Sequence, residues 1–164
     1  MSGYYKGMGA NGRFHQYAEM GWAPVPWSHH PKEIRDALRA TGLRPGLKMC
    51  FANSQRLLVR ATDMGLAVAE RLAYREGWAL LDIGGDSARL PIEHGWLEYG
   101  GNVLDLTSAD GRLQYGPAIT YSYEQIVKNA ARTGLWCVLD PRALAEIHPM
   151  RKAFESINKS EPKA

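Results

Sequence analysis

The stretch PIEHGWLEYGGNVLDLT, residues 91–107, constrains the fold more tightly than any other part of the chain. Apolar and polar residues alternate on both sides of Gly100-Gly101, the pattern of two half-buried strands joined by a tight turn. Two glycines suit a two-residue hairpin turn, whose central residues both need positive φ. With that turn Tyr99 pairs with Asn102, Trp96 faces Asp105, and His94 faces Thr107. Directly opposed residues share a sheet face, so Ile92, His94, Trp96, Val103, Asp105 and Thr107 lie together. His94 and Asp105 become diagonal neighbours, roughly 7–8 Å apart at Cα and closer at their tips. A three-residue turn without a bulge would put them on opposite faces, so the hairpin register decides whether they meet.

A histidine and an aspartate among Ile92, Trp96 and Val103 need each other if that face is covered, because burying either alone costs several kcal/mol. A carboxylate on one imidazole nitrogen leaves the other free for a proton or a thiol. The pair has two readings on this evidence: a structural hydrogen bond, or two members of a catalytic device whose nucleophile lies elsewhere.

The nucleophile is sought among two cysteines. In KMCFANSQRLLVRAT, residues Phe51, Ser54, Leu58 and Ala61 recur at helical spacing and Leu57 widens the face, which sets Cys50 at or just before the first turn of a buried helix. Unpaired N–H groups at a helix start stabilise a thiolate, and so does a neighbouring imidazole. The alternative for Cys50 is a small buried hydrophobe. Cys137, inside LWCVLD, has the stronger structural case, since that run reads as a short buried strand.

The other elements follow from the same two periods. Pro31 opens a helix, PKEIRDALRATG, with Ile34, Ala37 and Leu38 on its apolar stripe and Gly42 at its stop. From Leu72 the period becomes two, with Leu72, Tyr74, Glu76, Trp78 and Leu80 on one strand face. YGPAITYSY is a further strand or an extended loop. YEQIVKNAARTG reads as a helix ended by Gly134, and RALAEIHPMRKAF as a last helix bent or broken near Pro149. The arrangement predicts an α+β domain with helices packed on an antiparallel sheet. Its expected bounds are 31–155, between an irregular arm at 1–30 and a frayed tail at 156–164.

Composition narrows the function. The 164 residues suit one core, and 45% hydrophobic with 23% charged residues fits a folded chain rather than a disordered one. A net charge of +3 without a dense Lys/Arg run leaves nucleic-acid binding ranked last. No stretch reaches the roughly 18 apolar residues of a membrane span. The N-terminus lacks the apolar core of an export signal, so cytoplasmic residence with reduced thiols is expected. The pair His29-His30 lacks further ligands at metal spacing and reads as a loop pair.

The order of these pieces resembles the core of transglutaminase-like, papain-fold cysteine proteins, and of small bacterial or phage proteins of that type. The resemblance rests on CFANSQRLL, then YREGWAL, then PIEHGW and VLDLT, over about residues 49–107. It implies Cys50 as nucleophile, His94 as general base and then acid, and Asp105 as the group orienting His94. Glu93 before the histidine departs from the pattern, and the backbone N–H of Cys50 is the natural oxyanion donor. Glu76, Trp96 and Asn53 are the residues expected to bind substrate, although Glu76 could instead pair with an arginine. The implied activity is cysteine-dependent acyl transfer on a peptide, protein, or small amide or ester, with no metal or organic cofactor. The rival is a non-catalytic binding module that keeps the fold and contacts a protein partner through the aromatic-rich N-terminal arm.

Overall fold

The structure is a computed structural model that describes residues 30–82, 89–108 and 113–148. The expected arm, apart from His30, and the expected tail lie outside these residues, as does the chain around Pro149. Helix α1 spans Lys32–Ala40 and buries Ile34, Ala37 and Leu38, with Pro31 as its N-cap residue. It ends in a Schellman motif: Gly42, at φ 63°, donates to the Arg39 carbonyl and Leu43 donates to that of Leu38. Helix α2, Cys50–Asp63, starts at the expected cysteine. It closes the same way, with Gly65 donating to Thr62 and Leu66 to Ala61.

A 3-10 turn at Ala67–Arg71 leads into β1, Leu72–Asp82, followed by β2 at Arg89–Tyr99 and β3 at Asn102–Leu104. Strand β4, Leu113–Tyr121, resolves the strand-or-loop question for YGPAITYSY in favour of a strand. Together they form a four-stranded antiparallel sheet in the order β3-β2-β1-β4. The hairpin has the expected register, with Tyr99 opposite Asn102 and Leu97 opposite Leu104. Gly100 and Gly101 have φ of 57° and 78°, the positive values of a type I′ turn.

The sheet has two different faces. Leu72, Tyr74, Leu97, Tyr99, Leu104 and Tyr121 join Leu57, Leu58 and Ala61 of α2 in the main core. Ala79, Trp96, Val103, Leu113 and Tyr115 form a second buried cluster on the opposite face. Between Gly77 and Ala79 the β1–β4 register shifts by one, because β4 carries an extra residue at Gly116-Pro117. A bulge tolerates proline, which has no N–H to give the ladder. The bulge presses the Pro117 carbonyl into the space where a side chain on residue 77 would stand, so glycine is required there.

Helix α3, Tyr123–Thr133, is held by a capping box between Ser122 and Gln125 and stopped by Gly134 at φ 72°. The following LWCVLD segment is not a strand: it has no ladder, and Leu135 is exposed. Its backbone is claimed instead by Glu76, which is 0% exposed. The Glu76 carboxylate accepts hydrogen bonds from Val138 N at 2.7 Å, Leu139 N at 2.6 Å, Tyr74 Oη at 2.7 Å and Gln55 Nε2 at 3.1 Å. Asn129 also donates to the Cys137 carbonyl. Main-chain and neutral side-chain donors therefore replace the arginine expected for Glu76. Helix α4, Pro141–Glu146, follows, capped by Asp140 through Arg142 N and Ala143 N.

Removing the Glu76 carboxylate leaves these donors buried and unpaired. Glu76→Ala is expected to destabilise the fold by about 3–5 kcal/mol, read as a lower urea midpoint. A loss under about 1 kcal/mol would contradict the central place given to this clamp.

Candidate active site

His94 and Asp105 meet as the hairpin register requires. His94 Nε2 lies 2.7 Å from Asp105 Oδ2, and both residues are buried. Asp105 is held from two further directions. Its Oδ1 accepts from Thr107 N at 2.7 Å and Ser108 N at 3.1 Å, an Asx-type turn, while Tyr115 Oη donates to Oδ2 at 2.6 Å. Burial opposes ionisation of Asp105, but the bond and charge of His94, with Tyr115 and the Thr107 N–H, hold its carboxyl below the usual range.

Tyr115 is the site residue that the sequence reading missed. Without the bulge it would sit opposite Leu80, on the face that packs against α2. The extra residue at Gly116-Pro117 sets it opposite Ala79 instead, on the face of His94 and Trp96. The signal was the Gly-Pro dipeptide inside a strand, which marks a bulge.

Cys50 reaches His94 from the other side of the sheet. Pairs in an antiparallel hairpin alternate outward from Tyr99–Asn102, so Gly95 directs its main-chain groups toward β3. Strand β3 has ended by then, at Leu104. The first turns of α2 take its place: Ser54 Oγ donates to the Gly95 carbonyl at 3.3 Å, and the Cys50 sulfur accepts from the Gly95 N–H. Such close packing needs a glycine. A Cβ on residue 95 would lie 2.7 Å from Phe51 Cδ1 and 3.0 Å from both Phe51 Cα and Tyr74 Oη. Cys50 thus meets His94 around the strand edge that β3 leaves open.

The two groups hydrogen-bond, and each shifts the other. Burial pushes the Cys50 thiol up, but His94 by bond and charge, with the N–H groups of Gly95 and Phe51, brings it below its ordinary value. Burial likewise pushes the His94 imidazole down, and its bonds to Asp105 and Cys50 outweigh that, lifting it to about 9. Since Nε2 is taken by Asp105, Nδ1 is the nitrogen that faces the thiol. The two shifts run in the directions that a thiolate–imidazolium pair requires.

The three expected substrate-binding residues are engaged internally. Glu76 holds the 138–139 backbone. Trp96, 0% exposed, stacks on His94 with ring centroids 6.2 Å apart and meets Tyr115 edge-on at 5.2 Å. Asn53 accepts from Gly46 N at 3.2 Å and donates to the Gly46 carbonyl at 2.8 Å and Thr107 Oγ1 at 3.0 Å. It ties the loop before Cys50 to the loop after Asp105, and it makes no cap bond to α2.

Scans of protein-family models, curated proteins and solved structures each found no counterpart for this chain. Among the described residues, no group of three or more His, Cys, Asp or Glu side chains is arranged to hold a metal ion. No described helix is long and apolar enough to cross a membrane.

Two outcomes are expected. Gly95→Ala should force Phe51 away from β2 and break the Cys50–His94 contact, slowing thiol alkylation at pH 6 by about tenfold or more. Unchanged labelling would contradict the close-approach argument. The Asp105 carboxylate favours the protonated ring, so its removal must lower the His94 pKa. The NMR titration midpoint of His94 is expected at about 9 in the native chain and should fall toward or below 6.5 in Asp105→Asn; a variant midpoint that stays near 9 would remove Asp105 as its cause.

Proposed function

We propose that the protein is a cysteine-dependent acyl-transfer enzyme of the transglutaminase-like, papain-fold kind, acting on an amide or ester. The observation that carries this reading is His94 bonded on one nitrogen to a firmly held carboxylate and on the other to a half-buried thiol at a helix start. A purely structural histidine has no need of a thiol partner whose pKa is lowered.

The chemistry runs in two halves. The Cys50 thiolate attacks the substrate carbonyl carbon, forming a C–S bond and placing the carbonyl electron pair on oxygen. The Cys50 N–H, at the first position of α2 and without an intrahelical acceptor, is the oxyanion donor. As the C–N or C–O bond breaks, His94 gives its proton to the leaving group and an acyl-thioester remains. Water or an amine then attacks the thioester, His94 takes the proton released, and the thiolate departs. Asp105 stays ionised throughout and keeps the imidazole oriented. Trp96, Tyr115 and Asn53 hold this arrangement without touching substrate.

The rival reading is a binding module that contacts a partner through the N-terminal arm, and apart from His30 that arm lies outside the described residues. Treatment with a limiting amount of iodoacetamide at pH 6, followed by peptide mapping, separates the two. Preferential modification of Cys50 over Cys137, slowed about tenfold or more in His94→Ala, is the result expected of an activated thiol. Equal, slow labelling of both cysteines in the native chain would end the enzymatic reading.

A further inference from the structure

We propose that Glu93 and Trp78 form a cation-accepting subsite beside Cys50, so that the acyl substrate carries an ammonium or guanidinium group on that side of its reacting carbonyl. This rests on the acyl-transfer reading and adds a substrate class to it. Glu93 stands opposite Trp78 in the β1–β2 ladder, so the two side chains share the face on which α2 packs. On that face the first turns of α2 meet β2 at Gly95, through Phe51 and Ser54. Glu93 lies two residues earlier on the strand, about 7 Å beyond the Gly95 N–H that holds the Cys50 sulfur.

The segment after α3 borders the same region. Trp78 Nε1 donates to the Leu144 carbonyl at 2.9 Å, and the Trp78 ring meets the His148 ring edge-on with centroids 4.3 Å apart. Cys137 links the two ends. Burial raises its thiol, and Glu76, Cys50 and Glu93 raise it further, so its sulfur lies within electrostatic range of both the nucleophile and Glu93. Glu93 also acts on His148, where it opposes the lowering caused by burial. Glu93 is exposed and has no salt bridge among the described residues. Its negative charge is thus available to a ligand, with an aromatic surface beside it, and a carboxylate with an indole is a combination that selects cations.

The test uses thiol reagents of opposite charge on the full chain: trimethylammonium-ethyl and sulfonatoethyl methanethiosulfonate, with modification of Cys50 followed by peptide mapping. The ratio of the cationic to the anionic rate is expected to fall about fivefold in Glu93→Gln and further in Glu93→Lys. Glu33→Gln removes the same charge from the exposed face of α1 and should leave the ratio unchanged. Rapid modification of Cys50 with the same ratio in every variant would overturn the subsite and leave the acyl-transfer reading intact. Slow modification by both reagents in the native chain would overturn both.

Discussion

The two oxygens of Asp105 have different tasks, and the arrangement of the site follows from the difference. Oδ2 faces His94 and Tyr115, whereas Oδ1 gathers the N–H groups of Thr107 and Ser108. The second set turns the chain away from β2 and ends β3 at Leu104. Gly95 is thereby left with main-chain groups that no strand satisfies, and a buried unpaired N–H or C=O is costly. Helix α2 satisfies both, with Cys50 and Ser54. The residue that orients the histidine therefore also opens the strand edge through which the thiol reaches it.

Two glycines on adjacent strands serve this geometry in opposite directions. Gly95 admits Phe51 from the helix side, and Gly77 admits the Pro117 carbonyl of the β4 bulge. The bulge turns Tyr115 toward Asp105, so both close approaches converge on the same histidine–carboxylate pair. Backbone proximity, more than any long side chain, sets these positions. Rigid strands can hold such a site more tightly than loops can.

Much of this was legible in the chain. Gly100-Gly101 specified a turn with two positive φ values, and that alone fixed the meeting of His94 with Asp105. Gly42 and Gly134 marked helix ends correctly because a left-handed residue after a helix favours glycine. The meeting of Cys50 with His94 was reached only through the resemblance and not from periodicity, because face arithmetic puts the histidine and the helix on opposite sides of the sheet. Only the early end of β3 resolves that conflict, and it depends on side-chain-to-backbone bonds that periodicity does not register. LWCVLD failed for a related reason. An apolar run reads as a strand when its hydrogen-bonding partner is unseen, and here two of its N–H groups go to the buried carboxylate of Glu76.

Glu76 and Glu93 show how burial separates two carboxylates on one sheet face. They lie on neighbouring strands, and Glu76 is opposite Gly95, two positions from Glu93 on β2. Glu76 is covered by α2 and the 138–139 backbone, and its oxygens are occupied by donors the protein supplies. Its charge is invested in the fold, since any ligand would have to displace main-chain bonds to reach it. Glu93 lies two residues before the Gly95 that meets the start of α2, and it is exposed with no salt bridge among the described residues. The position of the helix start thus decides which carboxylate builds the wall and which one faces what enters beside the thiol.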